Sequence, residues 1–153
     1  MKKLLITGLL SVGILFAYNP LEGVKAQKQA ALKIVGNHFV DVKRAKKWIK
    51  EGVKVIDVRE PQEFLAGHIP GAKLIPRGVL YGAVKKKILK PNKKYILVCR
   101  TGHRALLAAA TLMKWYKFKD VYVLKGGMKA WIKDGNVVMN ALKLGPVKIQ
   151  LAK

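Results

Sequence analysis

The stretch YILVCRTGHRALLAAATLMKWY, residues 95–116, changes character twice. Tyr95 to Val98 is a short, wholly apolar run of the length and type of a buried strand. From Arg104 to Tyr116 the residues are good helix formers and almost all apolar, which predicts a buried helix. Between them lie Cys99, Arg100, Thr101, Gly102, His103 and Arg104. A strand feeding a helix through so short a loop is the unit of a parallel α/β sheet, where ligands bind at the junction of strand end and helix start.

The same alternation extends on both sides. Asp41 followed by VKRAKKWIKEG predicts an N-cap and an amphipathic helix ending at Gly52. KVIDV reads as a second buried strand, and REPQEF as an acidic turn with Pro61 at a first helical position. HIPGAKLIP places turn signals around a short strand at 72–75, residues 78–89 predict a lysine-tailed helix, and PNKK a loop. VYVL is a further strand, GGM a tight turn, and KAWIKDG a short helix closed by Gly135. The expected fold class is α/β, one domain with a central, mainly parallel sheet flanked by helices on both faces. Trp115 and Trp131 are expected in its core.

With 153 residues, of which 51% are hydrophobic, one core is the expectation. The opening segment has its own grammar. Lys2 and Lys3 precede an uncharged run from Leu4 to Ala17, shorter than the roughly 20 apolar residues of a membrane span but suited to a signal peptide. Val24 and Ala26 meet the small-residue rule for a cut after Ala26; a retained membrane anchor is the alternative. The expected plan is therefore a signal peptide at 1–26, a linker at 27–37, the domain at 38–135 and an extension at 136–153. In that extension Val147, Ile149 and Leu151 alternate as in an edge strand. Export to the periplasm or medium follows from this plan, with no stable membrane span after cleavage.

Export sharpens the meaning of the cysteine. A single cysteine forms no disulfide within the chain, so Cys99 is either an inert buried thiol or a reactive one. Zinc sites built on cysteine pairs are excluded, His38, His68 and His103 lack ligand spacing, and neither metal nor cofactor is expected. The formal charge of +23 draws small anions and acidic surfaces. The lysines are spread along the chain without interleaved aromatics, which argues against nucleic acid as a partner and for a generally lysine-rich surface.

A helix starting inside the loop would aim unpaired backbone N–H groups at the thiol. With Arg100 and Arg104 they favour the nucleophilic thiolate, and Gly102 lets the loop curl into an anion nest. His103 either donates to a substrate or faces solvent. Asp57 and Arg59, at the end of a buried strand, either support the site or pair with each other to order the turns. Glu60 and Glu63 serve a helix's first turn, and His68 reads as a hydrogen-bonded structural residue.

These residues carry a family resemblance. Cys99-Arg-Thr-Gly-His-Arg104 resembles the active-site loop of the rhodanese sulfurtransferases, residues 55–76 resemble the family's N-terminal signature, and residues 121–135 its C-terminal one. The resemblance implies that Cys99 attacks the outer sulfur of a donor such as thiosulfate, that sulfite leaves, and that a thiol or cyanide removes the sulfur from a Cys99 persulfide. It also implies that Arg100, Thr101, Gly102, His103 and Arg104 bind the anionic donor, with Asp57 and Arg59 in support. Thr101 departs from the lysine found at this position in thiosulfate-specialised members, which leaves the donor open. Three other readings stand beside it. Cysteine phosphatases place five residues between cysteine and arginine, whereas four separate Cys99 from Arg104 here. A sulfur-relay carrier would exchange persulfide sulfur with partner proteins. A redox-sensing thiol would oxidise without a donor.

Overall fold

Strand β4 (Tyr95–Val98) is buried along its whole length, and the two-residue period of a strand decides where its side chains go. Leu97 and Cys99 pack on one side of the sheet with Ile56, Val58, Val121 and Val123. Ile96 and Val98 pack on the other with Val55, Leu124, Met128 and Trp131. A strand apolar on both faces requires helices on both, and the computed structural model, which describes residues 20–140, supplies them.

The order is α1 (Pro20–Val35), β1 (Phe39–Val40), α2 (Val42–Lys50), β2 (Lys54–Asp57), α3 (Pro61–Ala66), β3 (Lys73–Leu74), a 3-10 turn (Arg77–Val79), α4 (Leu80–Lys85), β4, α5 (His103–Tyr116), β5 (Val121–Leu124) and α6 (Gly127–Lys133). The five strands are ordered β1-β5-β4-β2-β3 and every pairing is parallel. The α/β expectation is met, with a sheet that is wholly parallel. Asp41 caps α2 by accepting from the Arg44 amide at 2.7 Å. Pro61 opens α3 as read from the sequence.

Four expectations need correction. Residues 27–35, expected as linker, form most of α1: Pro20 sits at its first position, Gly36 ends it with φ +55°, and Ala31 and Val35, one helical turn apart, are buried together beneath it. The helix expected over 78–89 is shorter, because a 3-10 turn precedes Leu80 and Lys87 takes a positive φ soon after Lys85. Trp131 is buried, its Nε1 donating to the Val137 carbonyl at 2.9 Å, whereas Trp115 is 68% exposed, on the solvent side of α5. The extension begins inside the fold: Val138 is buried, and Met139 exchanges two backbone hydrogen bonds with His68. The alternation of Val147, Ile149 and Leu151 lies outside the described residues, as do residues 1–19 of the expected signal peptide.

In α1 the residues before Ala31 are exposed, so the helix is held by its C-terminal half. Among the described residues no helix is long and apolar enough to cross a membrane. Val35→Ala in the full chain is expected to lower unfolding free energy by about 2 kcal/mol in urea titrations. Val24→Ser, on the exposed half, should stay within about 0.5 kcal/mol of wild type.

Candidate active site

Cys99 continues the alternation of β4 and is only 1% exposed. Its Sγ accepts hydrogen bonds from the amides of Gly102, at 3.2 Å, and Ala105, at 3.4 Å. Gly102 is the N-cap of α5 but has no side chain to offer, so the Ala105 amide, at the third helical position, is one of the donors a cap would satisfy. The cysteine sulfur stands where a capping oxygen would. Gly102 holds a φ of +103°, a backbone conformation that side chains of L residues strongly disfavour.

The outer side of the loop is held by α6. Its Met128 amide donates to the Cys99 carbonyl at 2.8 Å and its Lys129 amide to the Arg100 carbonyl at 3.1 Å. This approach requires glycine at 127, since a Cβ there would overlap the Cys99 carbonyl oxygen, and the residue's φ is +58° besides. The GGM stretch, read from sequence only as a tight turn, is thus a clamp on the loop. The spacing of glycines gave no hint of the target.

Arg104 is already engaged. Its Nη1 and Nη2 donate to the two carboxylate oxygens of Glu63, on α3, at 2.6 and 2.7 Å. The hydrogen bonds from Arg104 hold the Glu63 carboxyl below its usual range against the opposing effect of burial, and Glu63 raises Arg104 in turn. Glu63 also completes the capping box with Glu60. Sequence reading assigned Glu63 to its own helix and missed this partner, 41 residues away. Arg100, by contrast, is exposed and forms no ion pair among the described residues.

Asp57 and Arg59 are both buried and form the ion pair weighed as one of their two readings. Arg59 Nε donates to both Asp57 oxygens at 2.9 Å, and its Nη2 donates to Asp57 at 2.6 Å and to the Gly67 carbonyl at 2.7 Å. The pair ties the end of β2 to the end of α3, with no hydrogen bond to Cys99. His68 Nδ1 lies 2.9 Å from the Phe64 carbonyl oxygen and its ring stacks on Phe64. Thr101 is exposed, and Gly102 and His103 line an open cavity of about 360 Å³ beside the loop. Among the described residues no three His, Cys, Asp or Glu side chains gather as metal ligands would.

The rhodanese-like domain family matches residues 41–134. The chain is 37% identical over 89 residues to the probable adenylyltransferase/sulfurtransferase MoeZ of Mycobacterium tuberculosis, a match spanning 57% of this chain but only 22% of that protein. It is 37% identical over 82 residues to the thiosulfate sulfurtransferase GlpE of Pseudomonas putida, covering 54% of this chain and 72% of the relative. The solution structure of the polysulfide-sulfur transferase homodimer of Wolinella succinogenes superposes with a TM-score of 0.57 at 34% identity, over 74% of this chain and 82% of that one.

Two outcomes follow from this geometry. Glu63→Gln should cost up to about 1 kcal/mol near neutral pH, the scale of a partly exposed pair. Because the folded-state pKa of Glu63 is lowered, its contribution is full above the ordinary glutamate pKa and is lost as pH falls through the lowered value. Urea titrations from pH 7 to pH 3 should therefore show wild type and variant converging at the acid end. Gly127→Ala should weaken hydrogen-exchange protection of the Met128 and Lys129 amides. Gly135→Ala, at φ +73° in open space, should cost about 1–2 kcal/mol and leave those amides protected.

Proposed function

The chain belongs to the rhodanese-like domain family, and from that premise we propose that it moves sulfane sulfur through a persulfide on Cys99. The carrying observation is the pair of amides, from Gly102 and Ala105, aimed at Sγ. In the loading step the Cys99 thiolate attacks the outer sulfur of an anionic donor such as thiosulfate. The bond from that sulfur to the sulfonate sulfur breaks, sulfite leaves with the electron pair, and Cys99 keeps the outer sulfur. In the second step a thiolate or cyanide attacks the outer sulfur and Cys99 leaves as thiolate. Backbone donors fixed before the reaction can hold negative charge on sulfur without reorganising.

The charges around the loop divide the work. Arg104 is committed to Glu63 and sets the loop against α3, while exposed Arg100 is free to meet the donor anion. Thr101 and His103 flank its approach, and the Asp57–Arg59 pair supports the turns behind it. The relatives support sulfur transfer as the chemistry, and thiosulfate, polysulfide and protein persulfides are the donor classes to compare. We place this chemistry outside the cytoplasm on the pattern of Lys2, Lys3 and the Leu4 to Ala17 run.

Intact-mass spectrometry after mixing with thiosulfate should show a gain of about 32 Da, one sulfur, with one equivalent of sulfite released. Cys99→Ser should show neither. A protein that gains sulfur only from a persulfidated protein, and none from thiosulfate, would move the reading from enzyme to relay carrier.

A further inference from the structure

We infer that the end of the sheet away from Cys99 is a docking surface for an anionic phospholipid membrane. Docking of this kind is independent of the sulfur chemistry. The lysines look scattered along the chain as a whole, but the segment VKKKILKPNKK, residues 84–94, holds six of them and no acidic residue. It runs from the last turns of α4 to the start of β4, where β4 pairs in register with β2, Tyr95 against Lys54. Lys54 therefore joins Lys90, Lys93 and Lys94 around a cavity of about 480 Å³. The one carboxylate on its lining, Glu51, lies 3.9 Å from Lys47. None of the four lysines forms an ion pair among the described residues. Lys94 is held over the Trp48 ring, 4.6 Å from its centroid, a contact that leaves its charge in place. Like charges gathered this way repel one another, and an anionic surface relieves them.

One apolar side chain selects among anionic surfaces. Ile88 is 43% exposed in the midst of these lysines, and it lines a second cavity as well as the first. The second, of about 250 Å³, carries Lys73 and Lys86 together with the exposed Val79. Lysines on both sides of an exposed aliphatic ridge match a bilayer surface: lipid phosphates meet the ammonium groups while the apolar side chain enters the boundary of the acyl chains. A nucleic acid matches it less well, because isoleucine offers no ring on which a base can stack and the segment has no arginine to fork a phosphate.

The parallel sheet sets the orientation of the docked domain. Tyr95 opens β4 and Cys99 follows its last residue, about 13 Å further along the strand. A membrane at the lysine end leaves the loop of Cys99 facing water on the far side.

The test is sedimentation of the full chain with vesicles of phosphatidylcholine alone and of equal parts phosphatidylcholine and phosphatidylglycerol. Apolar contact from the Leu4 to Ala17 run is common to both, so the readout is the ratio of partition coefficients, anionic over neutral. Wild type should show a ratio well above one that falls as salt is added. Lys90→Glu combined with Lys93→Glu should lower the ratio by about tenfold or more, and Ile88→Ser should lower partitioning onto the anionic vesicles by about threefold. Lys43→Glu combined with Lys125→Glu makes the same change in net charge just past β1 and β5, at the other end of the sheet, and should lower the ratio by less than about twofold. All five positions are exposed, and urea titration checks that each variant folds. Hydrogen exchange on the anionic vesicles should slow at residues 85–94 and not at 100–103. Cys99→Ser should bind as wild type does, so a failure of sulfur transfer and a failure of docking are read separately. A loss at Lys43 and Lys125 as large as that at Lys90 and Lys93 would overturn the inference, since diffuse charge would then suffice. So would a reversal at Lys90 and Lys93 that weakens binding to a DNA duplex and leaves the vesicle ratio unchanged.

Discussion

Everything at this site depends on the hydrogen bonds that Cys99 Sγ receives from the start of α5. A helix leaves its first amides without partners, and burying them unpaired costs free energy. Most helices meet that demand with a side-chain oxygen at the N-cap, but Gly102 has none to give. The sulfur at the end of β4 fills the vacancy, which brings the most nucleophilic atom of the chain and two fixed donors to one point. The structural need of the helix and the chemical need of an anionic sulfur are met by the same two bonds.

That arrangement holds only if the loop cannot turn over, and the α6 clamp prevents it. With the Cys99 and Arg100 carbonyls bound to Met128 and Lys129, those two peptide units face α6 and are not free to rotate toward the sulfur. A carbonyl oxygen pointing at Sγ would repel the charge that the amides attract. The Asp57–Arg59 and Glu63–Arg104 pairs extend the same control outward. They neutralise Arg59 and Arg104 within the fold and leave Arg100 exposed at the loop.

How much of this was legible depended on distance along the chain. The strand-loop-helix unit from Tyr95 to Tyr116 could be read directly, because apolar period and helix propensity are local properties. So could the N-cap at Asp41 and the helix start at Pro61. The Glu63–Arg104 pair could not, since Glu63 already had a sufficient local explanation in its capping box. Gly127 could not be told from a turn glycine, because the need for it lies in a carbonyl 28 residues earlier in the chain. Trp115 misled for the opposite reason: α5 is apolar nearly all round, so its composition did not show which side the fold leaves open.

Helix α1 shows why a family pattern is not the whole of a domain. It buries only Ala31 and Val35, both small, so it lacks the broad apolar stripe by which a packed helix is usually read. Small residues nonetheless pack the helix against α5, and Lys28 and Leu32 line the same cavity as Gly102 and His103 of the loop. Cys99, the amides aimed at its Sγ and the α6 clamp that fixes the loop all lie within the family match. The cavity beside that loop takes part of its lining, Lys28 and Leu32, from residues ahead of the family match, so a domain boundary drawn from the family pattern alone would cut through it.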